Sequence, residues 1–169
     1  MYSFYDKIYK AMHRLWLLAK IEHHRSKGRK IIFTNGCFDI LHRGHVDYLQ
    51  FCKYQGGIVV VGLNSDSSVR AIKGPDRPVV SELDRAAVLA ALASVNYVAI
   101  FEEQTPIEII RQVRPDILVK GADWENKIVA GKDFVESYGG KVMFAPLVEG
   151  YSSSTIFDRL SFSPSKAEK

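Results

Sequence analysis

Residues 31–45 read Ile-Ile-Phe-Thr-Asn-Gly-Cys-Phe-Asp-Ile-Leu-His-Arg-Gly-His, and this stretch decides the fold of the chain. Its short apolar start predicts a buried parallel strand. The small and polar residues that follow predict a tight loop, and a helix is expected from about Gly44 to Gln55. A buried strand that passes through a tight loop into a helix is the repeating element of α/β proteins.

Four more apolar segments predict strands, and the segments between them have helical patterns. They are residues 58–63, 97–101, 117–119 and 141–145. Strands that are apolar on both faces and alternate with helices are typical of a parallel sheet covered on both sides. We therefore predict an α/β fold, a Rossmann-like doubly wound sheet of five parallel strands with an extra N-terminal helix.

The chain is expected to divide into an N-terminal helical extension (residues 1–28), an α/β domain (29–162) and a disordered tail (163–169). One amphipathic helix is predicted over residues 4–26 from apolar residues at helical spacing. These residues are Phe4, Ile8, Met12, Leu15 and Leu18. The aromatic residues of this segment predict a surface that a partner buries: Tyr2, Phe4, Tyr5, Tyr9 and Trp16. Ser81 is predicted to cap a later helix that buries Leu83, Ala87, Ala90 and Ala91.

The composition excludes several classes of protein. The 169 residues carry a modest net charge of +4, and no apolar run approaches the about 20 residues of a membrane helix. A nucleic-acid partner would need a basic face with interleaved aromatic residues, which the sequence lacks. Cys37 and Cys52 have no CxxC spacing and fit free thiols in a reducing compartment. We expect a cytoplasmic protein without a membrane or nucleic-acid partner.

His42 and His45 have the spacing of either a metal site or an anion site. Zinc needs three or four ligands, and only Cys37 and Cys52 are further candidates nearby. An anion site explains more, because Gly44 lets a phosphate approach the backbone and the helix that begins there directs free N–H groups towards it. Two histidines that happen to lie at a helix start are the simpler alternative.

Further polar residues follow the predicted strands, at the edge where doubly wound sheets bind ligands. Asn64 and Asp66 could contact a substrate, although a helix cap also explains Asp66. Asp39 could orient a histidine or bind Mg²⁺, and a turn-forming Asp is the equal alternative. Lys120 and Asp123 also leave a buried strand, where Asp123 could bind ribose or base or simply form a turn.

Two further features concern phosphates and bases. Lys73 and Arg77 lie on a predicted Gly/Pro-rich loop over residues 71–78, which could close on phosphates or remain a solvated loop. Trp124 and Tyr151 could stack on a base, and core or interface positions are equally compatible with them.

Residues 30–160 resemble the cytidylyltransferase-like nucleotidyltransferases, whose defining motif is His-x-Gly-His. That motif is matched here by residues 42–45, and a second one by the hydroxyl cluster at residues 152–155. The strongest resemblance is to the adenylyltransferases of bacterial ADP-heptose synthesis. Ala122-Asp123-Trp124 and Ser153-Ser154 stand where that group usually has Gly-Asp-Tyr and Thr-Thr.

The resemblance implies transfer of AMP from ATP, with Mg²⁺, to D-glycero-β-D-manno-heptose 1-phosphate. It also implies a homodimer and a heptose 7-phosphate kinase on another chain. A cytidylyltransferase that uses CTP and glycerol 3-phosphate or another polyol phosphate, and a non-catalytic nucleotide sensor, remain alternatives.

The predicted site residues fall into three groups. Those with a catalytic role are His42, His45 and Lys73. Those that bind the nucleotide are Thr34, Asn35, Gly36, Cys37, Phe38, His42, Gly44, His45, Lys120, Gly121, Asp123, Ser152, Ser153, Ser154 and Thr155. Those that bind the second substrate are Asp39, Asn64, Asp66 and Arg77.

Overall fold

The computed structural model describes residues 4–10, 13–148 and 150–161. Within these residues six strands form one sheet: β1 (Ile8–Tyr9), β2 (Lys30–Gly36), β3 (Gly57–Asn64), β4 (Tyr97–Phe101), β5 (Ile117–Gly121) and β6 (Lys141–Ala145). The α-helices are α1 (Arg14–Ser26), α2 (Arg43–Tyr54), α3 (Asp66–Lys73), α4 (Glu82–Ala91), α5 (Ile107–Val113), α6 (Lys132–Ser137) and α7 (Ser153–Ser161). None of the helices described is long and apolar enough to cross a bilayer.

All strand pairs are parallel, in the order β1-β4-β3-β2-β5-β6. The predicted doubly wound α/β fold is confirmed, but the sheet has six strands and not five. The additional strand is β1, in which Ile8 and Tyr9 pair with Val98 and Ala99 of β4. Two residues are too short a segment to show a strand pattern in the sequence.

The predicted N-terminal helix over residues 4–26 is wrong in its first half. A 3₁₀ turn (Phe4–Lys7) and β1 precede α1, which begins only at Arg14. The predicted apolar face is also wrong, because Leu17 and Ile21 are buried while Leu15 is 79% exposed. The edge strand interrupts the helical register, so the spacing between residues 8 and 15 has no helical meaning.

The other N-terminal predictions have mixed outcomes. Of the aromatic residues assigned to a partner surface, Tyr9 is buried in the chain's own core, whereas Tyr5 and Trp16 are exposed. Tyr2, Met12 and the side chain of Phe4 lie outside the described residues, as does the predicted tail. The division into residues 1–28, 29–162 and 163–169 stays a prediction.

Two helices differ in detail from the sequence-based expectation. Helix α3 continues through Lys73, so the irregular loop begins at Gly74 and not at residue 71. Ser81 caps α4 as predicted, and its Oγ accepts a hydrogen bond from the Asp84 N–H at 3.3 Å. However, Leu83 is half exposed, and the buried face of α4 contains Arg85 and Leu89.

The sheet is covered on both faces, which explains its continuous apolar strands. Alternate residues of β2 and β3 contribute to two separate cores. Helices α2 and α4 cover one face, with Leu49 and Leu89 in its core. Helices α1, α5 and α6 cover the other, with Leu17, Ile109 and Val135 in its core. This packing brings the carboxyl ends of the strands to one edge.

The strand order reverses between β2 and β5, the position at which such sheets bind ligands. Only Ile32 and Phe33 of β2 have partners on β5, so the strands separate after them. The Tyr48 hydroxyl lies between the two strands, 2.5 Å from Thr34 Oγ1, and donates to the Val119 carbonyl at 3.0 Å. Thr34, a predicted nucleotide ligand, is fully buried in this structural link.

We expect Tyr48→Phe to lower the free energy of unfolding by about 1–3 kcal/mol, because Thr34 and Val119 then lose a buried partner. Urea unfolding measures this change. Tyr54→Phe is the matched control, since Tyr54 lies on the same helix and is 78% exposed. Equal unfolding midpoints for the two variants would contradict the structural role of the Tyr48 hydroxyl.

Candidate active site

A cleft of about 1060 Å³ opens at the carboxyl ends of the strands. Most of the predicted site residues line it: Asn35, Gly36, Cys37, Phe38, His42, Gly44, His45, Asn64, Lys73, Lys120, Gly121, Asp123, Ser152, Ser153 and Ser154. Trp124 and Tyr151 also line it. The other predicted residues lie outside this lining: Thr34, Asp39, Asp66, Arg77 and Thr155.

The two histidines form a stacked pair at the start of α2. Their ring centroids are 3.9 Å apart with planes inclined by 25°. Nδ1 of each ring is buried without a hydrogen-bond partner among the described residues. Buried polar atoms are seldom left unpaired, so these two atoms make the pair a candidate for binding a ligand.

Burial keeps the histidine pair uncharged. It lowers the pKa of His42. Burial also lowers the pKa of His45 to about 4, with smaller contributions from His42 and Lys73. Both imidazoles are therefore neutral near pH 7, each with one N–H to donate. A bound anion would stabilise their protonated forms and raise both pKa values.

Gly44 is required by the packing around the histidines. A Cβ at this position would lie 3.1 Å from the ring atoms Nδ1 and Cε1 of His42, and 3.3 Å from Cβ of Tyr151. These distances are tighter than ordinary carbon contacts, so any side chain would displace the His42 ring or the segment before α7. The glycine of the His-x-Gly-His motif therefore leaves room for the first histidine.

The loop before the histidines is held in a strained conformation. Phe38 has a φ of 45°, in the left-handed region, which costs a residue with a side chain about 1–2 kcal/mol. Its buried ring lies 5.1 Å from the His45 ring, measured between centroids. A Cβ at Gly36 would lie 3.1 Å from the same ring. The strain places the phenyl ring between the glycine and the histidine.

Asp39 does not contact the histidines. Its carboxylate accepts hydrogen bonds from Arg77 Nε at 2.5 Å and from the N–H groups of Val79 and Val80 at 2.8 and 3.0 Å. The Asp39 side chain is fully buried and that of Arg77 is 7% exposed. Neither residue lines the cleft, and these contacts anchor the loop that follows α3.

Asp66 is likewise engaged in a structural contact. Its Oδ1 accepts a hydrogen bond from Arg85 Nη2 at 2.7 Å, and its N–H donates to Glu82 Oε2 at 2.9 Å. Arg85 is a residue that the sequence-based reasoning missed. The available signal was an arginine next to Ala86 and one turn before Leu89, on the apolar face of a helix.

Lys120 is a buried cation at the position where β2 and β5 separate. It is 6% exposed, and its Nζ donates to Asn35 Oδ1 at 2.5 Å. Burial lowers its pKa to about 8, against the opposing effect of Asp123. Asp123 forms its ion pair with Lys127 instead, at 3.8 Å. Lys120 Nζ also lies over the Trp124 ring, 5.3 Å from its centroid. A buried charge whose nearest partners are a neutral amide and an aromatic ring is costly, and an anion in the cleft would offset this cost.

The hydroxyl cluster mainly shapes the start of α7. Ser152 Oγ accepts a hydrogen bond from the Thr155 N–H at 3.0 Å and lies 2.7 Å from Thr155 Oγ1. Ser153 is buried and donates to the Ile40 carbonyl at 3.2 Å, which joins α7 to the loop before the histidines. Ser154 is exposed and lines the cleft. Thr155 is thus a capping partner and not part of the lining.

The segments that line the cleft differ in composition. Those after β3 and β4 contribute polar residues and two apolar ones: Asn64, Lys73, Gln104 and Thr105, with Ile72 and Pro106. Those after β5 and β6 contribute apolar residues and one charged residue: Trp124, Ile128, Ala130 and Leu147, with Asp123. The sequence-based reasoning did not assign Gln104, Ile128 or Leu147 to the site, because each lies on a loop without a motif. Ile128 is 94% exposed.

No group of three or more His, Cys, Asp or Glu side chains among the described residues lies close enough together to hold a metal ion. His42 and His45 are stacked on each other, and their neighbours in the cleft are aromatic rings and a lysine. The donors in the cleft suit phosphate oxygens better than a cation.

Comparison with known proteins agrees with this geometry. A family model described as Cytidylyltransferase-like matches residues 33–159. The bifunctional protein HldE of Syntrophotalea carbinolica is 53% identical over 140 residues, which are 83% of this chain and 29% of that protein. The protein of the same name from Helicobacter pylori is 53% identical over 144 residues, 85% of this chain and 30% of that protein. The chain thus spans less than a third of these curated relatives.

A solved structure is also similar. The lipopolysaccharide core biosynthesis protein from Thermoplasma volcanium matches with a TM-score of 0.59 and 28% sequence identity. The match covers 74% of this chain and 100% of that chain.

Acid is expected to destabilise the ligand-free protein through His45. Folding lowers the pKa of His45 from 6.5 to about 4. Between these two pH values the unfolded chain binds a proton that the native state does not bind, so the free energy of unfolding decreases as the pH is lowered. We expect His45→Gln to lose less stability than the wild type between about pH 7 and pH 5, measured by urea unfolding. The exposed His13, changed to Gln, is the control. The same decrease in the free energy of unfolding in the wild type and in His45→Gln would refute this assignment.

Proposed function

The chain belongs to the cytidylyltransferase-like family, and from this premise we propose that it is an adenylyltransferase. It transfers AMP from ATP to D-glycero-β-D-manno-heptose 1-phosphate, giving ADP-heptose and pyrophosphate. The reaction type is supported above all by the stacked, half-buried imidazoles of His42 and His45 at the start of a helix, whose buried Nδ1 atoms have no hydrogen-bond partner among the described residues. Such donors stabilise the charge that develops on a triphosphate.

The proposed reaction is an attack on the α-phosphorus of ATP. An oxygen of the acceptor's phosphate forms a new bond to that phosphorus, and the bond to the β-phosphate oxygen breaks with its electron pair on pyrophosphate. A phosphomonoester with a second pKa near 6 is largely ionised at neutral pH, so no general base is required. The protein's contribution is to position two polyanions and to stabilise charge.

The residues of the cleft support separate roles in this reaction. His42 and His45 donate to the α- and β-phosphates, and Lys73 brings a positive charge from the end of α3. The start of α7, with Ser154, receives the outer phosphates. Magnesium enters with ATP as part of the substrate, because it is commonly bound through the phosphates and at most one or two carboxylates.

The side chains of the cleft also support an assignment of the two substrates. The apolar side chains of Trp124, Ile128 and Leu147 suit a planar base. The polar side chains of Asn64, Gln104 and Thr105 suit the hydroxyl groups of a sugar. The adenine and heptose assignments themselves are supported by the similarity to the HldE proteins.

The HldE proteins are named as bifunctional, and the matched region is 29–30% of their length. Two further properties are proposed from the described residues. Both cysteines are free, in accord with a reducing cytoplasm. We also propose a homodimer in which the exposed Tyr5 and Trp16 are covered.

Release of pyrophosphate tests the proposed function. Each of ATP, CTP, GTP and UTP is supplied with heptose 1-phosphate or with glycerol 3-phosphate. We expect release only when ATP and heptose 1-phosphate are present together. A preference for CTP with glycerol 3-phosphate would establish the alternative cytidylyltransferase. Nucleotide binding without release for any pair would establish the sensor alternative.

His42→Ala is expected to lower kcat at least about 100-fold, because it removes a donor that acts on the transition state. The measurement is the steady-state rate of pyrophosphate release at saturating substrates. His23→Ala is the control, since this exposed histidine lies on α1. Near-wild-type turnover of His42→Ala would exclude the proposed role of the pair.

Lys120 is expected to make substrate binding dependent on pH. The pKa of Lys120 is about 8, so its positive charge is lost as the pH rises past that value. The KM of the anionic substrate that contacts Lys120 should therefore increase. Lys120→Arg keeps the charge and should remove this rise. Lys127→Arg is the matched control, because Lys127 also lies over the Trp124 ring but is 59% exposed. A rise in KM that persists in Lys120→Arg would refute the assignment.

A further inference from the structure

Arg85 of α4 is a fully buried cation that lies outside the cleft lining. Its guanidinium donates three hydrogen bonds to three different segments. Nη2 donates to Asp66 Oδ1 at 2.7 Å, Nε to the Val80 carbonyl at 2.9 Å, and Nη1 to the Cys37 carbonyl at 2.5 Å. One side chain therefore connects the start of α3, the loop before α4 and the loop before the histidines.

The contact with Cys37 determines the conformation of Phe38. The Cys37 carbonyl belongs to the peptide unit that links Cys37 to Phe38, and the orientation of this unit about the N–Cα bond of Phe38 is the φ angle of Phe38. That angle is 45°, a conformation that side-chain-bearing residues rarely adopt. A strained conformation persists only where its surroundings determine it. The hydrogen bond from Arg85 supplies this constraint.

The Phe38 side chain transmits the constraint to the histidines. With this φ its ring is buried and lies 5.1 Å from the His45 ring, between centroids. His45 in turn stacks on His42 at 3.9 Å. A peptide unit that relaxed towards the ordinary φ region would withdraw the phenyl ring from His45.

A second contact makes the arrangement rigid. The Val80 carbonyl accepts from Arg85, and the Val80 N–H donates to Asp39 at 3.0 Å. Asp39 directly follows Phe38 in the chain. The left-handed residue is thus held on both sides, by Arg85 at Cys37 and by the Asp39 contacts after it. Charged hydrogen-bond donors in a dry interior are directional and strong.

We propose that Arg85 is a positioning residue for the histidine pair, which it orients through the Cys37 carbonyl and the strained backbone of Phe38. It contacts neither substrate nor the reacting atoms. Its effect on turnover rests on the proposed function, whereas its effect on the ring of His45 does not.

The test compares Arg85→Lys and Arg85→Met with Leu89→Ala. Leu89 is a fully buried residue one turn further along α4, so Leu89→Ala destabilises the same helix without touching the loop. We expect kcat to fall about 10-fold to 100-fold in the Arg85 variants, since small misplacements of reacting groups have effects of this size. KM for ATP should change less than about 3-fold, and folded Leu89→Ala should keep the wild-type kcat.

The orientation of His45 is measured directly by the NMR signals of its ring nitrogens. In Arg85→Lys we expect these signals to shift and the titration of His45 to move, with the signals of the exposed His13 and His23 unchanged. Arg85→Lys keeps a buried positive charge next to Asp66. If Arg85→Met does not fold, the His45 signals of Arg85→Lys alone test the role of Arg85.

Two results would overturn the proposal: wild-type His45 signals in folded Arg85→Lys, or the same loss of kcat in Leu89→Ala as in the Arg85 variants. If the wild-type protein releases no pyrophosphate with any substrate pair, the proposed function fails, and the signals of His45 still test the role of Arg85.

Discussion

The buried hydrogen bonds from Arg77 and Arg85 are the interactions on which the site depends. Each guanidinium forms an ion pair with an aspartate, Arg77 with Asp39 and Arg85 with Asp66. Buried ion pairs contribute little net stability, because desolvation offsets their attraction. They do determine geometry, and here they hold a loop in which Phe38 has a left-handed conformation. The histidines lie where this loop ends and α2 begins.

Burial places several polar and charged groups of the cleft in an unfavourable environment. It favours the neutral form of His45 and lowers the pKa of Lys120 to about 8, and neither histidine Nδ1 has a hydrogen-bond partner within the part of the chain that the structure describes. Burying these groups costs free energy, and a polyanion would offset that cost by pairing with them. This is how a preorganised site stabilises the charge of a transition state. The ion pairs outside the cleft make this preorganisation possible, because they prevent the loop from relaxing.

The sequence predicted the parts of the structure that depend on local pattern. The strand and helix alternation, the start of α2 and the cap at Ser81 all follow from neighbouring residues. The prediction was wrong for the first half of the N-terminal helix, where a two-residue strand is stabilised only by its pairing with β4. It was also wrong for most of the buried face of α4, where Ala90 is buried as expected but Leu83 is half exposed and Arg85 is buried. An arginine in a helix is expected at the surface, and only the Cys37, Val80 and Asp66 partners allow its burial.

The fold class and the stretch around the two histidines follow from the sequence, because periodicity, glycines and the His-x-Gly-His spacing are local properties. Only the tertiary structure decided which charged residues line the cleft. Lys120 and Lys73 do, whereas Asp39, Asp66 and Arg77 are used in buried pairs. The physical reason is that a charged side chain next to a binding motif can either face a ligand or hold the backbone. The outcome depends on partners far away in the sequence, and no local pattern specifies them.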